Sequence, residues 1–432
     1  MRLKVGDNLV EWLLNIIVSW YLLYPLIKAL PYGEQASRGI GLLVVFFAFF
    51  IVLLRGVKRS YLLLFLSAVA FLLNCLVRIP VGHDVAEDVA TFIRILGGFV
   101  IFFAFLTVAC PMRLIRFERR LFILGAICAL YTLVQASAYI ASPAAAMSFF
   151  GLDQYWGAGG EALRPRGLLM SIGGSASLMS ISLLIYYRWY TVGTVSRLET
   201  VLFFLVLAGL ASNFTRTFIL CIVIFIFLHL FVTGRFQKLW MATLGLVLSV
   251  VVVTLLFPDR VMDRLSDIPF VGKGQESEEF FEGRFVLAGI AWDAFASEGI
   301  ANYIFGNGLN FSSNAIMEVF RGQEKTMQSS THNDVVWLLV NLGVVGTILY
   351  SLFLCLLLQA YDKHMRGQAF YTLFVIIFFF LSSLAGESIN ISGHRYIQYI
   401  YIALLLRGLF VQNQRLALNY DSVQKPAERG SV

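Results

Sequence analysis

Long apolar stretches alternate with short polar turns along most of the chain. A helix needs about 20 apolar residues to cross a bilayer, and twelve stretches approach or exceed that length. They lie at residues 9–30, 38–54, 60–77, 95–110, 121–141, 167–187, 198–214, 217–233, 239–257, 333–360, 369–385 and 396–412. The pattern predicts an all-α polytopic membrane protein with about twelve transmembrane helices and one large polar loop.

Composition supports a membrane protein and argues against one that binds nucleic acid. The 432 residues are 59% hydrophobic and only 14% charged, whereas soluble proteins hold about 25% charged residues. The formal net charge is +7, but the basic residues lie between apolar stretches. A nucleic-acid-binding protein would gather them on one exposed element.

The distribution of Lys and Arg predicts the orientation, because cytoplasmic loops carry an excess of these residues. One set of alternate turns is rich in them: Arg55, Lys58, Arg59, Arg113, Arg116, Arg119, Arg120, Arg188, Arg197, Arg235, Lys238, Lys363 and Arg366. The turns on the other side hold fewer: Arg78, Arg94, Arg164, Arg166, Arg216 and Arg395. We therefore predict that both termini are cytoplasmic and that the large loop lies outside.

The large loop, residues 258–331, differs from its surroundings. It holds eleven acidic and six basic residues, which give it a formal charge of −5. A loop of this length is usually functional or disordered. Apolar residues between 284 and 298 recur at helical spacing and predict an amphipathic helix on the membrane face. They are Phe285, Leu287, Ala288, Ala291, Trp292 and Phe295, and a turn follows at Phe305-Gly306-Asn307-Gly308.

The domain organisation follows from these stretches. We expect residues 1–412 to form a single transmembrane domain, with the loop at 258–331 inserted between the ninth and tenth helices. The remaining residues, 413–432, are polar and include Pro426 and Gly430. They predict a disordered cytoplasmic tail.

A histidine stands where the large loop returns to the membrane. His332 precedes the tenth apolar stretch, which begins at Asn333, and nine residues separate Asn333 from Gly343-Val344-Val345-Gly346. An imidazole gains or loses a proton near neutral pH, so His332 is a candidate base. The two glycines predict a place where another helix packs closely.

Two arginines accompany this histidine on the predicted outer side. Arg216 lies immediately before the eighth apolar stretch, four residues before Leu220, and Arg284 follows Gly283 in the large loop. A guanidinium stays charged at working pH and holds phosphate oxygens in a bidentate manner. One base and two fixed cations facing one compartment predict chemistry on a lipid-linked phosphate.

These spaced motifs resemble those of the O-antigen ligase and O-antigen polymerase superfamily. Its ligases carry a His followed by Asn, Ser or Gln, nine residues and Gly-x-x-Gly, with Arg-x-x-x-Leu at an earlier outer helix end and a loop Arg before the His. The resemblance covers about residues 164–346. It implies a multi-pass glycosyltransferase of the GT-C type in the bacterial inner membrane, with its active site facing the periplasm.

The resemblance also implies the substrates and the residues that act on them. The donor would be a glycan on undecaprenyl diphosphate, used without a metal, a nucleotide sugar or another cofactor. The acceptor hydroxyl would lie on the lipid A core for a ligase, or on a second lipid-linked glycan for a polymerase. The ligase is narrowly favoured because the spaced motifs match its form.

Residue roles follow from the resemblance together with the chemistry of the side chains. His332 would be the general base, and Arg216 and Arg284 would stabilise the leaving diphosphate. A further set of residues in the same segments is expected to bind substrate: Arg164, Arg166, Asn307 and Asn333.

Each role has a structural alternative. His332 would cap its helix, Arg216 would anchor its helix at the lipid interface, and Arg284 would be an ordinary arginine at a helix start. A polysaccharide transporter is the competing class of protein, and it would place ionisable residues at mid-membrane and break paired helices. The candidate residues instead cluster at the outer edge, which favours a transferase.

Overall fold

The computed structural model describes residues 2–82, 84–108, 110–142, 165–169, 171–192, 195–213, 216–237, 240, 243–244, 278–319, 333–363 and 396–407. Within these ranges every regular element is a helix. The prediction of an all-α protein is therefore confirmed for the described part of the chain.

The first eight helices are α1 (Arg2–Ala29), α2 (Gly33–Arg55), α3 (Leu62–Arg78), α4 (Val85–Leu106), α5 (Pro111–Ala141), α6 (Ile172–Val192), α7 (Arg197–Ser212) and α8 (Arg216–Val232). Short 3-10 turns flank α3 at Arg59–Tyr61 and Ile79–Val81. The later helices are α9 (Glu278–Ala296), α10 (Ile300–Phe305), α11 (Phe311–Val319), α12 (Asp334–Lys363) and α13 (Tyr396–Arg407).

Six of the described helices are long and apolar enough to cross a membrane. They cover Asp7–Ala29, Gly33–Arg55, Arg59–Val81, Val85–Leu106, Arg113–Ala138 and Asp334–Ala360. Shorter apolar helices cover Phe218–Val232, Leu287–Ala296 and Tyr396–Arg407. The predicted count of twelve is not confirmed. The predicted helices at 239–257 and 369–385 lie almost wholly outside the described residues, as does the predicted tail at 413–432.

The predicted start of the fourth helix, at residue 95, was wrong by about three turns. The helix begins at Val85 because Asp84 caps it: one carboxylate oxygen accepts the N–H groups of Ala86 and Glu87 at 3.0 and 3.1 Å. Arg94, which the sequence placed in a turn, is consequently a helix residue.

The start of the fifth helix, predicted at residue 121, was wrong for a related reason. Pro111 opens the helix, a position that suits a residue without an N–H group. The arginines that followed it looked like a loop, but α1 pairs with them. Arg113 and Arg120 lie 3.3 and 2.8 Å from the carboxylate of Glu11.

The core of the bundle surrounds α13. Buried residues of this short helix are Tyr396, Ile397, Ile400, Tyr401, Ala403, Leu404, Leu405 and Leu406. A Cβ added to Gly97 of α4 would lie 2.5 Å from the hydroxyl oxygen of Tyr396, so α4 approaches α13 closely. On another side of α13, the amide of Gln398 donates to Ser177 of α6 at 2.8 Å.

One end of the bundle, which we call the basic end, gathers paired charges. Arg55 lies 2.7 Å from the carboxylate of Asp7, which also accepts the backbone N–H of Cys110 at 3.1 Å. Arg188 contacts the buried carboxylate of Glu118. The Lys and Arg residues at this end are those that predicted the cytoplasmic side, and the orientation stays a prediction.

The described helices of the large loop, α9 to α11, form a small unit that we call the insert, residues 278–319. The predicted amphipathic helix at 284–298 exists as α9, but its buried face differs from the predicted one. Ala291 and Phe295 are buried, whereas Trp292 is 45% exposed. The insert packs on α12 as well as on itself, because Phe311 and Ile316 of α11 and Val340 of α12 share this cluster.

Candidate active site

A break in α12 creates the surface on which the insert rests. Gly343 has φ 66° and ψ −170°, a conformation that only glycine adopts readily. The break leaves the backbone carbonyl of Asn341 available to a partner outside the helix. It accepts the N–H groups of Asn307 and Gly308 at 3.1 and 3.2 Å. Buried backbone groups need such partners, so the kink and the turn at 306–308 stabilise each other.

The two glycines of the Gly-x-x-Gly motif therefore have different structural roles. A Cβ on Gly343 would lie 2.5 Å from the nitrogen of Gly306, which leaves no room for a side chain. A Cβ on Gly346 would lie 2.9 Å from the side-chain amide of Asn74 in α3. The prediction of close helix packing is confirmed at Gly346, whereas Gly343 bends the helix and receives the insert.

Two asparagine side chains tie the insert to the bundle. The amide of Asn341, fully buried, donates to the hydroxyl of Ser312 at 2.9 Å and accepts the N–H of Ser312 at 2.9 Å. Asn310 reaches α4, where its amide donates to Asp88 at 2.8 Å and its oxygen accepts the Thr91 hydroxyl at 3.0 Å. Buried polar groups that are satisfied in this way fix one arrangement of the helices.

The packing of the insert bears on the predicted catalytic pair. His332 lies outside the described residues, and of Arg284 the structure describes the backbone, within α9. Leu287, one turn after Arg284 in α9, and Val336, in the first turn of α12, both pack against the cluster that contains Phe311, Ile316 and Val340. The helix that contains Arg284 and the first turn of α12 therefore contribute to one cluster.

The cap of α12 is Asn333 rather than the histidine before it. Its side-chain oxygen accepts the N–H groups of Val335 and Val336 at 2.9 and 3.2 Å. This satisfies two donors that every helix N terminus leaves unpaired. The structure therefore gives Asn333 a structural role, and its predicted contact with substrate stays a prediction.

Asn307, also predicted to bind substrate, lies inside the contact between the insert and α12. It is 5% exposed, and its side-chain nitrogen has no hydrogen-bond partner among the described residues. Substrate contact at this position stays a prediction.

Two of the other predicted arginines, Arg166 and Arg216, lie just before α6 and just after α7. The structure describes the backbone of Arg216 at the start of α8. The side-chain amide of Asn213, three residues earlier, donates to the carbonyl of Pro165 at 2.9 Å. The next residue, Arg166, accepts the Ser175 hydroxyl at its own carbonyl at 2.7 Å. The turn that holds Arg166 is thus fixed beside the segment that leads into Arg216, while Arg164 lies outside the described residues.

Sequence reasoning missed several residues at this end of the bundle. Asp88 is 1% exposed, and its partner Asn310 is 222 residues away, so no local signal reveals the pair. Arg94 donates to the Thr91 hydroxyl at 2.9 Å, and the guanidinium of Arg78 lies 5.2 Å from the ring centre of Phe305. That distance is within reach of a cation–π contact. In the described ranges, no group of three or more His, Cys, Asp or Glu residues could hold a metal ion.

A comparison with known families agrees with the motifs. The family model for O-antigen ligase (Wzy_C) matches residues 201–351, a stretch that runs from α7 through the insert into α12. Arg216, Arg284 and His332 fall inside it, whereas Arg164 and Arg166 lie before it. A search of curated proteins found no match.

The predicted resemblance is therefore confirmed over the matched stretch, which begins later than the expected residue 164. Proteins of this family are membrane glycosyltransferases of the ligase or polymerase type. Residues 201–351 thus match the O-antigen ligase family domain, within a chain that has six described helices long and apolar enough to cross a membrane.

Proposed function

We propose that this protein transfers a glycan from undecaprenyl diphosphate to a sugar hydroxyl at the periplasmic face of the bacterial inner membrane. The observation that carries the proposal is the position of Arg216, Arg284 and His332, all inside the O-antigen ligase domain. The packing of Leu287 and Val336 against one cluster supports it, because it brings the helix that contains Arg284 to the first turn of α12, which follows His332 in the sequence.

The chemistry needs a base and a group that accepts negative charge. The acceptor oxygen attacks the anomeric carbon of the donor sugar, and the bond from that carbon to the diphosphate oxygen breaks. The hydroxyl proton passes to the neutral imidazole of His332, a role usually worth about 100- to 10,000-fold in rate. Attack opposite the leaving diphosphate inverts the configuration of the anomeric carbon.

The arginines stabilise the charge that grows on the diphosphate as this bond breaks. A donor positioned for the transition state is worth about 100- to 1000-fold. Arg216 and Arg284 stay charged at any working pH, so this mechanism uses neither a metal nor a cofactor. Since Asn333 caps α12, the helix terminus does not require His332 as its cap.

In our proposal a third arginine, Arg166, lies close to the diphosphate of the donor. The turn that holds Arg166 is fixed through Asn213, three residues before Arg216. A phosphate held by Arg216 would therefore have a second cation nearby. We assign Arg164 and Arg166 to binding of the donor, at the edge of the site, because neither lies in the matched domain.

The ligase reaction is narrowly favoured over the polymerase reaction. The separation of nine residues between His332-Asn333 and Gly343 has the ligase form. The two reactions share the donor and differ in the acceptor, which is the lipid A core for a ligase and a second lipid-linked glycan for a polymerase.

Reconstitution of the purified protein with a defined undecaprenyl-diphosphate glycan and each acceptor in turn tests the proposal. Product on the lipid A core supports the ligase, and a lengthened lipid-linked glycan supports the polymerase. Failure to form either product, by protein that remains folded, would end the glycosyltransferase proposal.

A further inference from the structure

The short turn at residues 165–169, which holds Arg166, is enclosed by side chains from α5, α6 and the end of α7. Four of its five residues are buried, and Arg166 alone is partly exposed. Backbone groups that are buried outside a helix or a sheet need partners from elsewhere in the protein. Here the partners are three polar side chains that sequence reasoning did not single out.

Gln135 of α5 holds the turn directly after the arginine. Its side-chain oxygen accepts the N–H of Gly167 at 2.8 Å, and Gln135 is fully buried. Gly167 has φ 68°, and a Cβ added there would lie 2.8 Å from the hydroxyl oxygen of Thr132, one turn earlier in α5. The backbone of the turn therefore rests directly on α5, in a conformation that glycine adopts readily.

Ser175 of α6 holds the carbonyl of the arginine itself. Its hydroxyl donates to the carbonyl of Arg166 at 2.7 Å and accepts the N–H of Leu169 at 3.3 Å. Ser175 is also fully buried. The peptide group between Arg166 and Gly167 is thus held on both sides, at its carbonyl by α6 and at its N–H by α5.

Asn213, at the end of α7, holds the peptide group before the arginine. Its side-chain amide donates to the carbonyl of Pro165 at 2.9 Å, and Asn213 is fully buried. Since peptide groups are planar, fixing both of those that flank the Cα of Arg166 sets the direction in which its side chain leaves the backbone. Arg216 follows Asn213 by three residues, a span of at most about 11 Å.

We propose that Gln135, Ser175 and Asn213 are positioning residues, which hold Arg166 beside Arg216 so that both guanidiniums bind the diphosphate of one donor lipid. This inference rests on the proposed function and extends it to the side chains that place the additional cation. Guanidinium groups bind phosphate oxygens in a fixed fork geometry, so the direction of each arginine decides whether both reach one diphosphate. The three positioning residues act through Arg166 and do not touch the donor.

Binding of undecaprenyl diphosphate to the full-length protein in detergent tests this inference, because binding needs no turnover. Ser175→Ala removes only the hydroxyl that holds the turn. We expect it to weaken binding by about two- to tenfold, the effect of one typical hydrogen bond.

Ser182→Ala is the matched control. Ser182 is also fully buried in α6, but its hydroxyl donates to the carbonyls of Leu178 and Leu121, at 3.0 and 3.3 Å, rather than to the turn. We expect wild-type binding from this variant. Weakening equal to that of Ser175→Ala would show a general effect of a lost buried hydroxyl and overturn the role of Ser175.

The same substitutions in an Arg166→Ala background separate positioning from a general effect on the fold. Arg166→Ala should weaken binding more than Ser175→Ala does, and Ser175→Ala should add nothing to it, because residues that act through one group are not additive. Gln135→Met keeps the length of the side chain, removes the oxygen acceptor and should behave in the same way. Equal weakening by these variants with and without Arg166, or wild-type binding by Arg166→Ala, would overturn the inference.

Failure of this inference and failure of the proposed function give different results. Wild-type protein that transfers glycan, while Arg166→Ala binds undecaprenyl diphosphate normally, would retain the transferase and overturn the positioning residues. Wild-type protein that binds undecaprenyl diphosphate through Arg166, but transfers glycan to neither acceptor, would support the positioning residues and end the transferase proposal. Thermal unfolding of each variant shows whether it is folded.

Discussion

The backbones of Gly343 and Gly306 are in close contact, so that a Cβ on Gly343 would lie 2.5 Å from the nitrogen of Gly306. The first belongs to the break in α12 and the second to the turn of the insert. Their contact joins the helix that follows His332 to the segment that carries Arg284. The geometry of the proposed site thus depends on two positions without side chains.

Gly343→Ala should separate the insert from α12. The substitution adds a methyl group with no space and imposes on alanine a backbone conformation that glycine alone adopts readily, which costs about 1–3 kcal/mol. We expect faster limited proteolysis within the insert and a large loss of transfer. Gly289→Ala in α9 is the control, because an added Cβ there meets no atom within 4 Å. If both variants behave like the wild type, the contact does not hold the insert.

Asn310→Asp should destabilise the contact between the insert and α4 through charge. It replaces the amide that donates to Asp88 at 2.8 Å by a second carboxylate, and a lost buried hydrogen bond to a charged group costs about 2 kcal/mol. Thermal unfolding at neutral pH measures the effect.

Asn302→Asp is a matched control for this variant. Its amide donates to Glu298 at 2.7 Å on a partly exposed helix, where solvent screens the repulsion. Equal losses of stability from the two variants would show that the buried contact with α4 contributes no more to stability than the partly exposed pair of Asn302 and Glu298.

The sequence predicted the long apolar helices well and the contacts of the insert poorly. Hydrophobic runs such as those of α2 and α3 define their own elements, because burial in lipid needs no specific partner. The bend at Gly343 and the pair of Asp88 and Asn310 join segments far apart in the chain. Such contacts are set by tertiary packing, which hydrophobic periodicity does not encode.

Charged turns were mispredicted for the same reason, because their partners lie far away in the sequence. Arg113 and Arg120 looked like loop residues because isolated charges are unfavourable in a membrane helix. Their partner, Glu11, lies in α1, so the pairing that keeps this turn helical was invisible locally. The candidate residues Arg216, Arg284 and His332 were found only because their types and spacing match a family.

Arg216→Ala and Arg284→Ala should each lower the rate of transfer by about 100- to 1000-fold, since a positioned cation is lost from the transition state. Lysine at either position should give an intermediate rate, because it keeps the charge and loses bidentate binding. Initial rates with purified lipid-linked donor measure this. Arg38→Ala is the control, since Arg38 is exposed and pairs with Glu34. Rates unaffected by both site variants would remove the arginines from the mechanism.

Lys58 should make stability depend on pH. Burial, followed by the charges of Arg407 and Arg55, lowers its pKa to about 8 in the folded protein, from near 10.5 in the unfolded protein. Between these values the unfolded state binds more protons, so stability rises with pH, and below about pH 8 the full cost of the charge is present. Lys58→Gln should therefore raise the unfolding temperature of lipid-free protein below pH 8.

The advantage of Lys58→Gln should shrink as the pH rises from 8 towards 10.5. Unfolding temperatures of both proteins in detergent, measured across this range, test the sign. A difference between them that grows with pH, or a variant less stable than the wild type at pH 7, would contradict the lowering of the Lys58 pKa by burial and by the charges of Arg407 and Arg55.

The most direct test of the central claim is the transfer rate of His332→Ala with an undecaprenyl-diphosphate glycan as donor, in buffer containing EDTA. The account predicts that wild-type protein remains active in EDTA and that the variant, inserted and folded, is slower by about 100- to 10,000-fold. Wild-type rates from His332→Ala, or loss of wild-type activity that a divalent metal restores, would contradict catalysis by a histidine base and arginines.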